Sequence, residues 1–270
     1  MSTAISLLDL THLRFKGPDA ERYLNGQVTQ QVEGLSLGRS CYTFVCDAKG
    51  RILFNATIHR DEEGFLLSIQ GGNPDEHLAR MDRYLIADDC ELSDESKRWG
   101  ILHELSTSSH EKGLINRFGK LGKDHYREGS AKEELLTLSQ TASSPSEQED
   151  QRILHAVPHF PDLVGAFPAE TGLEDQAVSF HKGCYLGQEV VSRMKRAAKT
   201  NRRLTTVFLN ETTTELPLLF SENDSEKTRL EITSIASTAN EKGYPALGYL
   251  STRVTDLALL TSPSKIKLIL

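Results

Sequence analysis

VSFHKGCYLGQEVVSRMKR, residues 178–196, is the stretch on which the reading of this chain turns. Ser179 to Cys184 carries no apolar periodicity and reads as extended or looped backbone. Gly183 and Gly187 permit tight main-chain geometry close to a ligand. Gln188 to Arg196 reads as a helix, with Glu189 near its positive N-terminal end and a basic tail near its negative end. Cys184 is thereby placed just before a helix start and beside Lys182. Both features favour thiolate over thiol, so the sequence predicts a nucleophilic sulfur at neutral pH. The bland alternative is a buried, inert cysteine. His181 reads as a tuning group for Cys184 or as a surface or capping histidine.

Working outward, Arg193, Lys195, Arg196, Lys199, Arg202 and Arg203 form a basic run inside a chain of net charge −7. That run is a solvated helix face or a surface for RNA or an acidic partner. The molecule as a whole is not drawn to polyanions or anionic membranes. From 203 onward RLTTVFL, LPLLF, TRLEITSIAS, YPALGYLS and KIKLIL, separated by polar turns, predict a small closed or nearly closed β-barrel. Upstream, TASSPSEQEDQ (141–151) reads as a polar linker or surface loop, and AKEELLTLS (131–139) as a short helix.

Nearer the N-terminus, Gly17-Pro18-Asp19 opens a short helix that Asn25-Gly26 ends, with Ala20, Tyr23 and Leu24 on one face. RSCYTFVC and RILFNATIH, joined by the DAKG turn at 47–50, predict a hairpin over 39–60, followed by a strand at 65–70. A helix is expected over 74–86, with Asn73 as N-cap, Glu76 completing a capping box, and Leu78, Met81 and Leu85 as its apolar stripe. Strands near 89–93 and 98–105 follow.

Composition bounds the rest. The chain has 270 residues, 38% of them hydrophobic and 26% charged, as suits a folded soluble protein. The N-terminus lacks the pattern of a secretory signal, and no stretch approaches the ~20 apolar residues needed to span a bilayer. Cys41, Cys46, Cys90 and Cys184 form no C-x-x-C pair and no disulfide framework, which points to a reducing cytoplasm and away from a metal site. Pro158 between His155 and His159 argues against a histidine metal pair. Trp99 reads as core. Gly119, Gly122 and Lys123 lack the spacing of a phosphate loop.

KGCYLGQEVV, with VSF ahead and Arg193 after, resembles the Lys-Gly-Cys-aromatic-x-Gly-Gln-Glu signature of the YgfZ family, a branch of the glycine-cleavage T-protein (aminomethyltransferase) superfamily. FKGPDAERYLNGQVTQQV (15–32), SCYTFVCDAKGRILFNATIHR (40–60), LARMDRYLIADDCELSD (78–94), FPAETGL (167–173) and PALGYLS (245–251) resemble further family blocks in the same order. Residues 106–150 and 210–240 add almost nothing. Two departures separate the chain from true aminomethyltransferases. Aligned on Gly50, Phe54 and Asn55 stand where those enzymes carry an acidic pair whose first carboxylate is catalytic, and Cys184 stands where they carry Asp. A phenyl ring and an amide supply no carboxylate for proton transfer. Gln31 also stands where an Asp is common in the YgfZ branch.

The resemblance implies an α+β protein with three subdomains around a central cavity that accommodates folate. Its first subdomain would comprise 1–40 and 141–202, the second 41–140, and a C-terminal β-barrel 203–270. The implied cofactor is tetrahydrofolate or a one-carbon derivative, and the implied partners are iron–sulfur client proteins, some of them tRNA-modifying. Cys184 and Lys182 are the expected reactive groups. Lys182, Gln188, Glu189, Arg193, Asn25 and Gln27 have the chemistry for a pterin edge and an anionic tail, with Thr29 nearby. Three functions compete: an accessory factor for iron–sulfur enzymes, a folate-dependent one-carbon transferase or demethylase, and a non-enzymatic scaffold that binds clients or RNA.

Overall fold

The computed structural model describes residues 4–7, 10–105, 115–117, 120–129, 144–197, 200–222, 227–264 and 266–269. The helix expected at 131–139 lies outside them, as do Gly119 and Lys199. The strands form three antiparallel sheets. The first joins β1 (Ala4–Leu7), β7 (Trp99–Leu105), β9 (Lys120–Glu128) and β8 (Ile115–Arg117) in that order. The second, central sheet runs β3 (Ser40–Cys46), β4 (Ile52–Asp61), β5 (Gly64–Gln70), β2 (Leu10–Lys16), β6 (Glu91–Asp94). Residues 10–16 and 40–94 thus share one sheet.

The hairpin of β3 and β4 forms as its sequence directs. Asp47 closes the turn by accepting from the Lys49 and Arg51 N–H groups, and Gly50 takes the positive φ of 75° that the turn requires. Cross-strand register then sorts the side chains of the central sheet into two faces. Leu13 and Phe15 of β2, Val45 of β3, Phe54, Ala56 and Ile58 of β4, and Leu67 and Ile69 of β5 make the apolar face. It packs against α1 (Ala20–Gln27), through Tyr23 and Leu24, and α2 (Pro74–Asp82), through Met81.

Local corrections have local causes. α1 begins at Ala20 and runs through Asn25-Gly26, because the Asn25 side chain leaves the helix end and accepts from the Val32 N–H at 3.0 Å. α2 stops at Asp82, short of 86; Asn73 caps it by accepting from the Asp75 N–H, and no capping box with Glu76 forms. The stretch read as a linker is a helix, α3 (Pro145–Leu154): Ser144 and Glu147 cap one another's backbone and Pro145 presets the first turn.

The third sheet runs β14 (Leu260–Thr261), β11 (Leu218–Glu222), β12 (Thr228–Ile235), β13 (Tyr244–Ser251), β10 (Arg202–Leu209), β15 (Leu268–Ile269). Its two edge strands lie eight residues apart in sequence, so the sheet curls into a nearly closed barrel around Leu209, Phe220, Leu230, Ile232 and Ala246. The C-terminal closing strand is shorter than expected, covering only 268–269. A buried ion pair docks α3 and the following segment onto the barrel: Arg152 Nη1 donates to Asp162 Oδ2 at 2.6 Å, and Thr233 and Ser234 donate to Asp162 Oδ1. With both charges buried, the geometry must be complete to repay desolvation, and here every oxygen of Asp162 is used.

Candidate functional site

The segment 178–187 is tied to the end of α1 and to the β3–β4 turn. The Ser179 N–H donates to Thr29 O, the Thr29 hydroxyl to Ala177 O, and the Leu186 N–H to Gly26 O. Lys182 is the centre of this fastening. Its buried Nζ donates to the carbonyls of Asn25, Val28 and Gln30 at 2.7, 2.8 and 2.8 Å. An ammonium has three protons, and all three are committed. Burial pushes the Lys182 amine down to about 8, with the Cys41 thiol and Glu33 acting the other way.

Gly187, at φ +85°, is required because a Cβ there would sit 2.4 Å from Asp47 O and 3.0 Å from Gly50 Cα. The two glycines therefore press the start of α4 (Gln188–Ala197) onto the hairpin turn, backbone to backbone. Gly183 differs: its φ is not positive, and a Cβ there meets nothing within 4 Å. The tight approach at Gly187 serves this chain's own main chain.

Cys184 stands exposed at the tip of the loop, whereas Cys46 is buried and Cys41 and Cys90 are half-buried. Burial holds the Cys41 and Cys46 thiols up at about 12 and that of Cys90 up at about 11. Cys184 is thus the thiol open to reagents and partners. Glu189 and Arg193 lie exposed on α4, and Gln188 is half-buried at its start. Gln27 accepts from Arg80 Nη1 at 3.0 Å, and Arg80 also donates to Cys46 O. The structure therefore brings Lys182, Asn25 and Thr29 together, sets Gln27 beside Arg80, and leaves Cys184, Glu189 and Arg193 at the surface. The basic run is partly neutralised: Lys195 pairs with Glu174 and Asp175, and Arg202 with Glu170 and Glu231.

Sequence reading missed the second face of the central sheet. Register places His59, Leu66 and Arg14 in one row, Tyr42, Thr57, Ser68 and His12 in the next, and Phe44, Asn55, Gln70 and Leu10 in the third. Polar residues dominate these rows, yet His12 and Arg14 are 0% exposed, Thr57 2%, Ser68 5% and Asn55 6%. The sheet of β7 and β9 covers one end, where Tyr126 stacks on His59 at 4.3 Å and Trp99 lies 5.6 Å from the Arg14 guanidinium. At the other end Phe44 packs against Leu163, Ala177 and Val178. His12 Nδ1 meets Ser68 Oγ at 2.9 Å, and Arg14 pairs with Asp61 and Glu95. Asn55 Oδ1, by contrast, is buried without a hydrogen-bond partner among the described residues. An orphaned amide oxygen costs about 1–3 kcal/mol, so its retention points to something outside the chain that satisfies it.

One further polar group fits the chemistry of a bound heterocycle. Glu170 is buried; its Oε2 is fixed by the Phe167 N–H at 3.1 Å and by Arg202 Nε at 3.2 Å, while Oε1 engages no donor among the described residues. A positioned carboxylate with a free oxygen is what a 2-amino-4-oxo-pyrimidine edge requires. The signal available in sequence was an acidic residue inside an otherwise apolar FPAETGL. Phe54, the other departure from the acidic pair, lies on the apolar face, its ring 4.6 Å from that of His77 and tilted 56° to it. The three rows contain no carboxylate.

Comparison with known proteins accords with this architecture. The GCVT N-terminal domain family matches residues 1–103. An uncharacterized protein of Haemophilus influenzae is 30% identical over 230 residues, 80% of this chain and 76% of that one. The tRNA-modifying protein YgfZ of Cronobacter sakazakii is 27% identical over 231 residues, 75% of this chain and 70% of its own length. An aminomethyltransferase of Rubrobacter xylanophilus is 35% identical over 103 residues, which span only 28% of that protein. The aminomethyltransferase T of the glycine cleavage system of Bartonella henselae shares the fold, with a TM-score of 0.76 at 14% identity over 99% of this chain and 83% of that one. Among the described residues no helix is long and apolar enough to cross a membrane. The chain belongs to the glycine-cleavage T-protein superfamily, in its YgfZ-type branch.

Proposed function

We propose that this protein binds tetrahydrofolate, or a one-carbon derivative, against the buried polar face of the central sheet and serves as an accessory factor for iron–sulfur enzymes, including those that modify tRNA. The observation that carries the reading is the orphaned Asn55 Oδ1 on a polar face enclosed at both ends. Such a face gains nothing from water and is incompletely satisfied by protein, which is the condition for a pre-formed ligand site. Asn55 and the hydroxyls of Thr57 and Ser68 supply acceptors and donors, Glu170 a carboxylate for the pterin edge, and Tyr42 and Phe44 apolar surface for the aromatic rings. Bound folate would supply a one-carbon carrier or a redox-active pterin. The residues around it bind, orient and exclude water.

Lys182 acts in this reading as the fastener that sets the Cys184 loop on α1, since its three protons are already committed. Cys184 faces the client. The rival reading, an aminomethyltransferase or demethylase, needs an acid on the polar face, and Asn55 offers only an amide there. Tetrahydrofolate is expected to raise the melting temperature, by about 2.7 kcal/mol of stabilisation at a hundredfold excess over its Kd. Cys184→Ala should keep that shift, keep the fold and lose the ability to complement a strain deficient in iron–sulfur enzyme maintenance. Absence of any folate-induced shift would discard the folate site; full complementation by Cys184→Ala would discard the role of the thiol.

A further inference from the structure

A second cleft, of about 280 Å³, opens between the segment after α3 and the barrel, lined by Pro161, Val164, Leu216, Pro217, Tyr249 and Thr233 together with Asp162, Arg202 and Glu231. Its volume is at the lower limit for drug-sized ligands, so it suits a small molecule. Asp162 contributes shape and no binding capacity. Its Oδ1 accepts from Thr233 and Ser234, and its Oδ2 from Arg152 and the His159 N–H. The bond to Asp162 likewise occupies the proton of the Thr233 hydroxyl.

Two polar groups in the cleft retain capacity. Arg202 lies over the Tyr249 ring, its Cζ 4.4 Å from the centroid; its Nε is held by Glu170 at 3.2 Å and its Nη1 by Glu231 Oε2 at 2.9 Å, leaving Nη2 without an acceptor among the described residues. Glu231 Oε1 likewise has no donor among the described residues. One unused donor of a fixed cation and one unused acceptor of a fixed anion thus stand side by side within a single ion pair. Next to them lies an apolar wall on which Leu216 and Val164 remain exposed.

A molecule that complements this arrangement carries a carboxylate and an ammonium on one carbon, with an apolar substituent. We propose that the cleft binds a small apolar α-amino acid, its carboxylate on Arg202, its ammonium on Glu231 and its side chain against Leu216, Val164 and Pro217. Arg202 is preorganised for this by Glu170 and Tyr249, so little order remains to be imposed on binding. The site uses neither the polar sheet face nor Cys184; it shares with the folate reading only Glu170, whose Oε2 holds Arg202 Nε.

Calorimetric titration of the full chain with L-leucine, leucinamide, 4-methylpentanoate and glycine tests it. Leucine is expected to bind. Leucinamide and 4-methylpentanoate, each lacking one charge, should bind at least tenfold more weakly, as should leucine to Glu231→Gln at unchanged melting temperature. Should Glu231→Gln unfold, Leu216→Ala, at an exposed position, is expected to shrink the preference for leucine over glycine at least threefold. No heat with leucine, equal binding of the singly charged analogues, undiminished binding to folded Glu231→Gln, or an unchanged leucine preference in Leu216→Ala overturns the assignment.

Discussion

The two faces of the central sheet are buried to a similar degree and for opposite reasons. On one, Leu13, Phe15, Val45, Ile58, Leu67 and Ile69 meet the apolar sides of α1 and α2, and each contact stabilises the fold directly. On the other, His12, Arg14, Asn55, Thr57 and Ser68 are withdrawn from water with fewer compensating bonds. The first face is where stability is made. The second spends part of it, as binding sites commonly do. Burial alone therefore does not distinguish core from site; the state of the polar atoms does.

The sharpest way to break this comparison is to damage the apolar face and watch the polar one. Phe15→Ala removes a fully buried ring and should cost about 3–5 kcal/mol. Denaturant unfolding should show that loss, while the tetrahydrofolate-induced shift persists in what remains folded. Loss of the folate response without loss of stability would invert the assignment of the faces. Arg14→Met leaves Asp61 without its cation, while Glu95 keeps Arg98. Those carboxylates are 23% and 12% exposed, so the cost should fall below the 3–5 kcal/mol of a fully buried pair, at about 2–3 kcal/mol by the same unfolding measurement.

Asn55→Leu should change stability by no more than about 1 kcal/mol, and in the stabilising direction, because it deletes an unsatisfied polar atom. Its effect should appear instead as tetrahydrofolate affinity lowered at least tenfold by titration. A variant that is both destabilised and competent to bind would assign Asn55 to the core.

The last effect expected is on pH. Burial lowers the pKa of His77, which packs on Phe54 at the apolar face, and that of His59 at the polar one; in both cases nearby carboxylates oppose the shift. The unfolded chain then binds more protons than the folded one, so stability is full above the unfolded value of about 6.5 and is lost as pH falls through it. Urea midpoints at pH 8 and pH 5.5 should differ accordingly, and His77→Gln should narrow the gap. An identical gap in His77→Gln would place the titration elsewhere.

Much of this was legible in sequence where the cause is local. The Asp47–Gly50 turn, the strands around it, the loop before a helix at Gln188 and the strands of the barrel all follow from turn chemistry and apolar periodicity. The misreadings are of one kind. Residues 141–151 are polar, but Ser144, Pro145 and Glu147 cap a helix whose inner residues, Arg152 and Ile153, find partners on the barrel. Lys182 was read as a group facing a ligand or a thiol, and three carbonyls from residues 25–30, remote in sequence, claim it.

The alternation of Leu13 with His12 and Arg14, and of Ala56 with Asn55 and Thr57, by itself determined that the central strands have one apolar and one polar face, because the side-chain period of a strand is two. The sequence likewise placed Cys184 just before a helix, whereas the need for glycine at 187 and not at 183 came from the packing of that loop on the Asp47–Gly50 turn. What only the tertiary structure decided is that the polar face is enclosed, by a second sheet at one end and the 163–178 segment at the other. Period-two patterning records which residues share a face. Whether that face meets water depends on contacts between elements a hundred residues apart, to which local patterning carries no reference.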